Sequence, residues 1–534
     1  MPRDRLRIDF VSPLPPVRSG IADYSADLLP QLARLCDLRL VRLPEQPVDP
    51  AIAARHPVVA PERLGEDGRL PCYQMGNNRH HAAVWDLAFE HPGVLTLHDV
   101  VLHHLLVERT LRRGDVAAYR RELAAEHGWI GDAAARPRQW PGGWGDAALF
   151  ALPAHRRLAA AQRGVLVHSE WAAEWLREEV PGVAVAPVPM GVPLPPVSEK
   201  SDKSDRSDMS DSSDFRRRHN LPADVPLLGS FGFQTPIKRT GVVIQALRRL
   251  EGVHLVVVGE VASTLDLGET ARRAGVAQRV HLLGYLPFAE LAEAIAAVDV
   301  CLNLRYPTAG ETSASLLRIL AVGKPTVVSD HAQLAALPDG VVVKAPLGDG
   351  EEAALAAQLA ELLADPARLR AMGEAARRHV AEHHDPARAA AAMADALGRF
   401  AGRRPLGAVA APPPPTSLFA DRLAGELEVE GAEAPWPEGE RRRLRIRLAN
   451  RGGGPWLAGE VEDGGVAVEV RTLAAGAACA RWLRLPLTLE PGAEHVFELA
   501  LRRPPGRARL EVEPHVLGRQ GFSGLGGPVW GREV

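Results

Sequence analysis

The sequence predicts an α/β fold class: two doubly wound domains in tandem, followed by an all-β sandwich. Three observations carry this prediction. Over residues 5–190, short β-branched runs alternate with amphipathic helical patterns. The same alternation restarts after residue 225. Beyond the proline run at 411–415 the helices stop, and alternating strands separated by Gly, Pro and Asn take over. A continuous apolar strand followed by an amphipathic helix is the pattern of a parallel sheet covered on both faces. Regular short strands with turn residues between them suit a sandwich of about 100 residues.

In the first half, LRIDFVSP (6–13) reads as a buried strand, followed by a glycine-bearing loop and a helix over 22–35. Further strands are read at 38–43, 71–76, 93–99 and 164–169, each running into a loop or helix. In the second half, strands are read at 226–232, 253–260, 279–286, 299–306, 325–330 and 340–346, and helices at 351–364, 366–382 and 386–402. The expected boundaries are 1–192 for the first domain, 193–218 for a Ser/Asp-rich linker, 219–403 for the second domain, 404–418 for a proline-rich linker and 419–534 for the sandwich. Within the first linker, SEKSDKSDRSDMSDSSD (198–214) has no apolar residue but Met209. Such a run cannot offset its own ordering entropy and is expected to be disordered.

Composition narrows the function classes. A chain of 534 residues exceeds one core. Hydrophobic content of 46% and charged content of 24% suit a soluble globular protein. A net charge of −3 argues against a nucleic-acid partner, whose phosphates need a cationic field. Cys36, Cys72, Cys301 and Cys479 are scattered without metal spacing, which fits a reducing compartment and no structural zinc. No run reaches the roughly 18–20 apolar residues of a membrane span, and the N-terminal apolar run is too short for a signal-peptide core. The expected location is cytoplasmic, with peripheral membrane contact left open. Oligomeric state is not legible.

In open doubly wound sheets, ligands bind outside the carboxyl ends of the strands. After the first strand, SPLPPVRSGIADYS sets Ser19 and Gly20 ahead of a helix, small enough to let a phosphate reach the helix amides. A glycine there is also an ordinary helix boundary. TLHDVVLHH puts His98 and Asp99 at another strand end, where an imidazole can bond a substrate hydroxyl and the acid can orient it or act as base. The plain reading is a capping Asp99 and a packed ring. His103 and His104 read as helix-surface residues.

The second half holds stronger signals. Of 63 Lys+Arg only five are lysine: Lys200, Lys203, Lys238, Lys324 and Lys344. SFGFQTPIKRTG places Lys238 after a strand and before a helix, where a cation is mildly unfavourable to the helix dipole. A compact point charge in that place is expected to meet a phosphate; the plain alternative is a solvated lysine. In NLRYPTAGETSASLLRILAVGKP (303–325), Gly310, Glu311, Thr312 and Ser313 open a helix whose first amides suit an anion. Arg305 is expected to neutralise a diphosphate and Glu311 to accept from ribose or sugar hydroxyls. Otherwise Glu311 is a first-turn acid and Arg305 a surface charge.

Taken in order, PLPPVRSGIADYS, YQMGNNRHH, TLHDVVLHH, VLVHSEWAAEWL, SFGFQTPIKR and GETSASLLRILAVGKPTVVSD resemble the retaining GT-B glycosyltransferases of glycosyltransferase family 4, over about residues 5–402. The resemblance implies two Rossmann-like domains and transfer of a sugar, with retention, from a nucleotide diphosphate sugar to a glycan, lipid-linked or other hydroxyl acceptor. It implies no permanently bound cofactor and no required metal. Carried over by position, Gly20 lies against the donor phosphates, His98 approaches the transferred sugar, Lys238 holds phosphate, and Gly310–Ser313 surround diphosphate and sugar. His98, Lys238 and Glu311 form the implied catalytic set.

Two positions depart from the family. Phe233 stands where an arginine often precedes the lysine, and Arg318 stands where a ribose-binding glutamate belongs, with Glu311 one place displaced from the other family glutamate. Arg305 is read as replacing the missing arginine and Glu311 as serving the ribose alone. The alternative is a carbohydrate-binding protein on an inactive GT-B scaffold. A dinucleotide oxidoreductase is disfavoured because no Gly-x-Gly-x-x-Gly follows a strand. The C-terminal part resembles sandwich modules appended to such enzymes; Trp456 reads as a core or edge aromatic, or else Trp456 or Trp530 stacks on a sugar.

Overall fold

The computed structural model describes residues 5–135, 147–194, 207–407, 416–418, 423–461, 464–474, 477–518 and 521–534. The chain divides into two compact units, Met1–Leu105 with Gly145–Val409, and Leu106–Trp144 with Ala410–Val534.

The first unit contains two parallel sheets. Strands β1 (Arg7–Val11), β2 (Asp37–Val41), β3 (Val58–Val59), β4 (Leu70–Met75), β5 (Val94–Leu97), β6 (Gly164–Val167) and β7 (Val185–Pro187) lie in the order β3-β2-β1-β4-β5-β6-β7. Strands β8 (Leu227–Phe231), β9 (His254–Val258), β10 (Val280–Gly284), β11 (Val300–Asn303), β12 (Thr326–Ser329) and β13 (Val343–Ala345) lie in the order β10-β9-β8-β11-β12-β13. In register, Phe10 sits between Leu40 and Cys72, and Cys301 pairs with Gly229 and Thr326. Helices cover both faces, so Ile8, Phe10 and Val11 are all without exposure. The helix Pro386–Ala401 closes the first sheet, with Met393, Leu397 and Phe400 in one core with Leu28, Leu29 and Leu32.

Each sheet reverses its winding beside its first strand, between β1 and β4 and between β8 and β11. Loops leave those neighbours in opposite directions and open a crevice at their carboxyl ends. Gly20, Lys238, Arg305 and Gly310–Ser313 follow β1, β8 and β11, while His98 and Asp99 follow β5.

The second unit is built on antiparallel sheets. Strands β14 (Gly425–Glu430), β15 (Arg441–Asn450), β16 (Val466–Ala474), β17 (Ala477–Arg484), β18 (Glu494–Arg502), β19 (Ala508–Val516) and β20 (Trp530–Glu533) form the orders β14-β15-β18 and β17-β16-β19-β20. Ile446, Val468, Phe497 and Val512 share its core. Trp456 is 1% exposed and meets Phe522 edge to face, so it is a core aromatic and not a sugar platform.

Four expectations need correction. The linker read as disordered over 193–218 ends in a helix, Ser207–Arg218, because Phe215 drops into a core with Leu227 and Phe231 while Arg216 pairs with Asp299 at 3.1 Å. The rest of that expectation, 195–206, lies outside the described residues, as does the proline run 411–415. The first domain does not run unbroken to 192: residues 106–135 fall in the second unit, where buried Arg120, held by Asp132 at 2.7 Å, also donates to the Leu418 carbonyl. Ser417 is likewise sandwich and not linker, since its hydroxyl donates to the Gly464 carbonyl at 2.6 Å. Finally, His103 is fully buried and its Nδ1–H donates to the Leu152 carbonyl at 2.7 Å, so it is not a surface residue. Among the described residues no helix is long and apolar enough to cross a membrane.

Candidate functional site

The second sheet's reversal point gathers most of the candidates. β8 ends at Phe231 and turns through Gly232 at φ +89°. A Cβ there would come 2.8 Å from Lys238 Nζ, so the glycine lets the lysine fold back over the turn. Lys238 Nζ donates to the Phe231 carbonyl. Of the three N–H donors of an ammonium, the others remain for an anion. Burial, reinforced by the Arg305 guanidinium and opposed by Glu311, pulls the Lys238 pKa down to about 7. Fully buried Gln234 pins the turn: its amide donates to the Gly232 carbonyl at 2.8 Å and its oxygen accepts from the Thr240 hydroxyl at 2.7 Å.

β11 runs into the loop that carries Arg305 and Gly310–Ser313. The Arg305 amide donates to Ser329 Oγ at 2.9 Å, and its guanidinium bonds the Glu311 carboxylate and Ser313 Oγ, the latter at 3.1 Å. Among the described residues its buried Nε–H has no partner. The second Glu311 oxygen accepts from the Thr308 hydroxyl at 3.0 Å and the Ala309 amide at 2.9 Å. Gln333 fastens the loop by donating to the Glu311 carbonyl at 2.7 Å. Both carboxylate oxygens of Glu311 are therefore engaged within its own loop. Ser313 caps the helix Ala314–Val322 by accepting from the Leu316 amide at 3.2 Å, with Thr312 partly exposed beside it.

The first sheet meets this loop directly. The amides of Val100 and Val101 both donate to the Ala309 carbonyl, at 2.7 and 3.0 Å. Asp99 Oδ2 accepts from the Asn77 amide at 2.8 Å. Burial first and Glu311 second raise the Asp99 pKa to about 7, against the pull of the Asn77 amide and Arg305. Gly20 begins the helix Gly20–Leu35, whose cap Ser19 accepts from Ala22 at 3.1 Å. A Cβ on Gly20 would meet nothing within 4 Å, so space beside that helix start is open.

His98 takes its ring partners from the first sheet. It is 5% exposed, with Nε2 2.9 Å from Gln74 Oε1 and Nδ1 3.2 Å from His168 Nε2. The His168 Nδ1–H donates to the Val188 carbonyl at 2.9 Å. Burial holds both rings below the ordinary histidine range, His168 at about 4. The sugar contact expected of His98 thus meets a ring whose nitrogens already have partners inside the first domain.

The two departures from the family pattern differ in kind. Arg318 lies 3.6 Å from Asp27, and the carboxyls of Asp23 and Asp27, raised by burial, are both drawn back by Arg318. Phe233 is 54% exposed. Sequence reasoning missed Gln234, Gln333 and the acidic partners of Arg318. A single buried glutamine leaves no periodic signal, and the Arg318 pairing depends on how two distant helices pack. Among the described residues no group of three or more His, Cys, Asp or Glu is placed to hold a metal ion.

Residues 239–395 match the family model described as glycosyl transferase-like. No curated protein matches the chain. Among solved structures, HepE from Anabaena in complex with UDP is similar at 16% identity and a TM-score of 0.51, over 74% of this chain and 100% of that one. Sucrose-phosphate synthase from Thermosynechococcus elongatus is similar at 17% identity and a TM-score of 0.53, over 74% of this chain and 99% of that one. A glycosyltransferase from Rickettsia africae is similar at 11% identity and a TM-score of 0.52, over 75% of this chain and 99% of that one. With the sheet orders above, these likenesses show a GT-B fold of two Rossmann-like domains.

Proposed function

We propose that the chain is a glycosyltransferase that passes a sugar, with retention, from a nucleotide diphosphate sugar to a hydroxyl of a glycan, lipid-linked or other acceptor. One observation carries this reading. Lys238, Arg305 and the Gly310–Ser313 loop converge at the carboxyl ends of neighbouring β8 and β11, where a diphosphate would find donors. The glycosyl transferase-like match over 239–395 supports it. The HepE structures are named as complexes with UDP and with UDP-glucose, which makes a UDP-sugar the first donor to try.

In this reading the Lys238 ammonium and the unpartnered Arg305 Nε–H stabilise the departing diphosphate, and the amides at the helix start add to them. Glu311 acts through Arg305 by holding its guanidinium in place. His98 braces the wall beside the sugar, and Gly20 leaves room for phosphate at the facing helix. The bond from the anomeric carbon to the leaving phosphate oxygen breaks while the acceptor oxygen bonds the same face. The acceptor proton goes to the leaving phosphate. No side chain is assigned as a nucleophile, and the donor is a substrate, with no resident cofactor or metal in the scheme.

The test is a thermal-shift panel of UDP-, GDP- and ADP-sugars, followed by assay of nucleoside diphosphate release. Ligand at a hundredfold over Kd adds about 2.7 kcal/mol of apparent stability. A shift with one donor and release of its diphosphate supports transfer. A shift without any release makes the chain a binder, and no shift with any donor ends the proposal.

A further inference from the structure

Beside the phosphate-facing loop, the first unit holds a cavity of about 860 Å³ to which the reading above gives no ligand. Its size suits a small molecule, for which pockets run from about 300 to 1,000 Å³. The helix Glu170–Glu179 lines it with Trp171 and Trp175, whose rings lie 5.1 Å apart. Tyr306 and His331, in edge contact at 5.2 Å, line it as well. Thr308 belongs to both places: it lines the cavity, and its hydroxyl donates to Glu311 at 3.0 Å. A ligand here is therefore one loop away from the proposed donor phosphates.

Among the described lining residues the charge is unbalanced. Glu174 and Glu178 are both in its lining, one turn apart on the same helix. Among the described residues, the ion pairs of that helix fall instead on Glu170, with Arg177, and on Glu179, with Arg156. Arg239 also lines the cavity, but its guanidinium is paired with Glu351 and lies over the Tyr306 ring at 5.7 Å from the centroid. Like charges one turn apart repel. An ammonium between them relieves that repulsion and is drawn to the indole faces as well. A carboxylate or phosphate in the same place is repelled.

We propose that this cavity is the acceptor site and that it takes a sugar ring bearing a free amine, its C–H face against the aromatic rings and its ammonium between Glu174 and Glu178. The inference rests on the glycosyltransferase reading and names the acceptor class of that same site.

The test uses the full chain and three probes, the methyl glycosides of glucosamine, N-acetylglucosamine and glucuronic acid, titrated by saturation-transfer NMR. Methyl glucosaminide is expected to bind, its N-acetylated form to bind about tenfold more weakly, and the glucuronide to give no transfer. The double variant Glu174→Gln/Glu178→Gln is expected to lose the preference for the free amine. Equal binding of glucosaminide and glucuronide, binding of none of the three, or an unchanged preference in the double variant overturns the assignment. Donor thermal shifts recorded on the same samples separate the two readings. A donor shift without glucosaminide preference removes only the acceptor assignment, whereas no donor shift in the unaltered protein removes the transferase reading whatever the glycosides do.

Discussion

Arg305 and Glu311 form an ion pair inside the loop after β11, with side chains only 13% and 12% exposed. Losing one partner of a buried pair leaves the other charge desolvated, at about 3–5 kcal/mol, whereas losing both removes the problem with the pair. Arg305→Ala and Glu311→Ala are each expected to lower stability by about 3–5 kcal/mol, and the double variant by clearly less than their sum. Urea unfolding of the four proteins measures the coupling, and strict additivity would show that the two side chains act independently. The same variants test the phosphate assignment. Donor affinity that survives Arg305→Ala but not Lys238→Ala would remove Arg305 from the diphosphate.

Lys238 gives a pH-dependent prediction. Its pKa falls from 10.5 to about 7 on folding, so between those values the unfolded chain holds a proton that the folded chain has lost. The group therefore opposes folding below pH 7, and its contribution improves as pH rises toward 10.5. A bound diphosphate favours the charged ammonium. Donor binding at about pH 8 is thus expected to take up close to one proton, falling toward none at about pH 6. Calorimetry in buffers of different ionisation enthalpy reads the uptake, and Lys238→Met isolates it from other groups. A binding enthalpy independent of buffer at both pH values would mean that Lys238 does not meet the phosphate.

The sheets were legible because both of their faces are covered. His254–Val258 is an unbroken apolar run but for its first residue, and the strand read at 253–260 contains it. Lys238 was legible through the scarcity of lysine, which made its position conspicuous against a background of arginine. His98 was placed at its strand end, but its partners Gln74 and His168 come from neighbouring strand ends that only the folded sheet brings together. Glu311 was read as facing a ligand because a first-turn acid and a loop staple look alike in sequence. The helix at Ser207–Arg218 was missed because low complexity masked one anchoring phenylalanine.

That helix can be tested through Phe215. The side chain is without exposure, and truncating a buried phenylalanine costs about 3–5 kcal/mol. Asp214, next to it, makes an exposed pair with Arg217 at 2.8 Å, which contributes about 0–1 kcal/mol. Phe215→Ala is expected to lower the unfolding midpoint strongly and Asp214→Ala hardly at all. Two silent substitutions would restore the disordered linker through residue 218.

Gly310 concentrates two constraints at the junction of the two sheets. Its φ is +77°, and a Cβ would stand 2.8 Å from Val100 Cγ2. The left-handed backbone alone costs a non-glycine residue about 1–2 kcal/mol. The clash adds to this by pushing the loop from the Val100 and Val101 amides, which donate to Ala309 at 2.7 and 3.0 Å. Gly310→Ala is therefore expected to speed hydrogen exchange at those two amides and to weaken the donor thermal shift, because the displaced loop also carries Arg305 and Ser313. Val100→Ala added to it should recover only a small part of the loss, since it removes the Cγ2 contact but leaves the Val100 Cβ position 2.9 Å from the new methyl and leaves the backbone strain. Full recovery would assign the effect to packing alone. Unchanged exchange at Val100 and Val101 in Gly310→Ala would mean that the junction does not depend on the glycine.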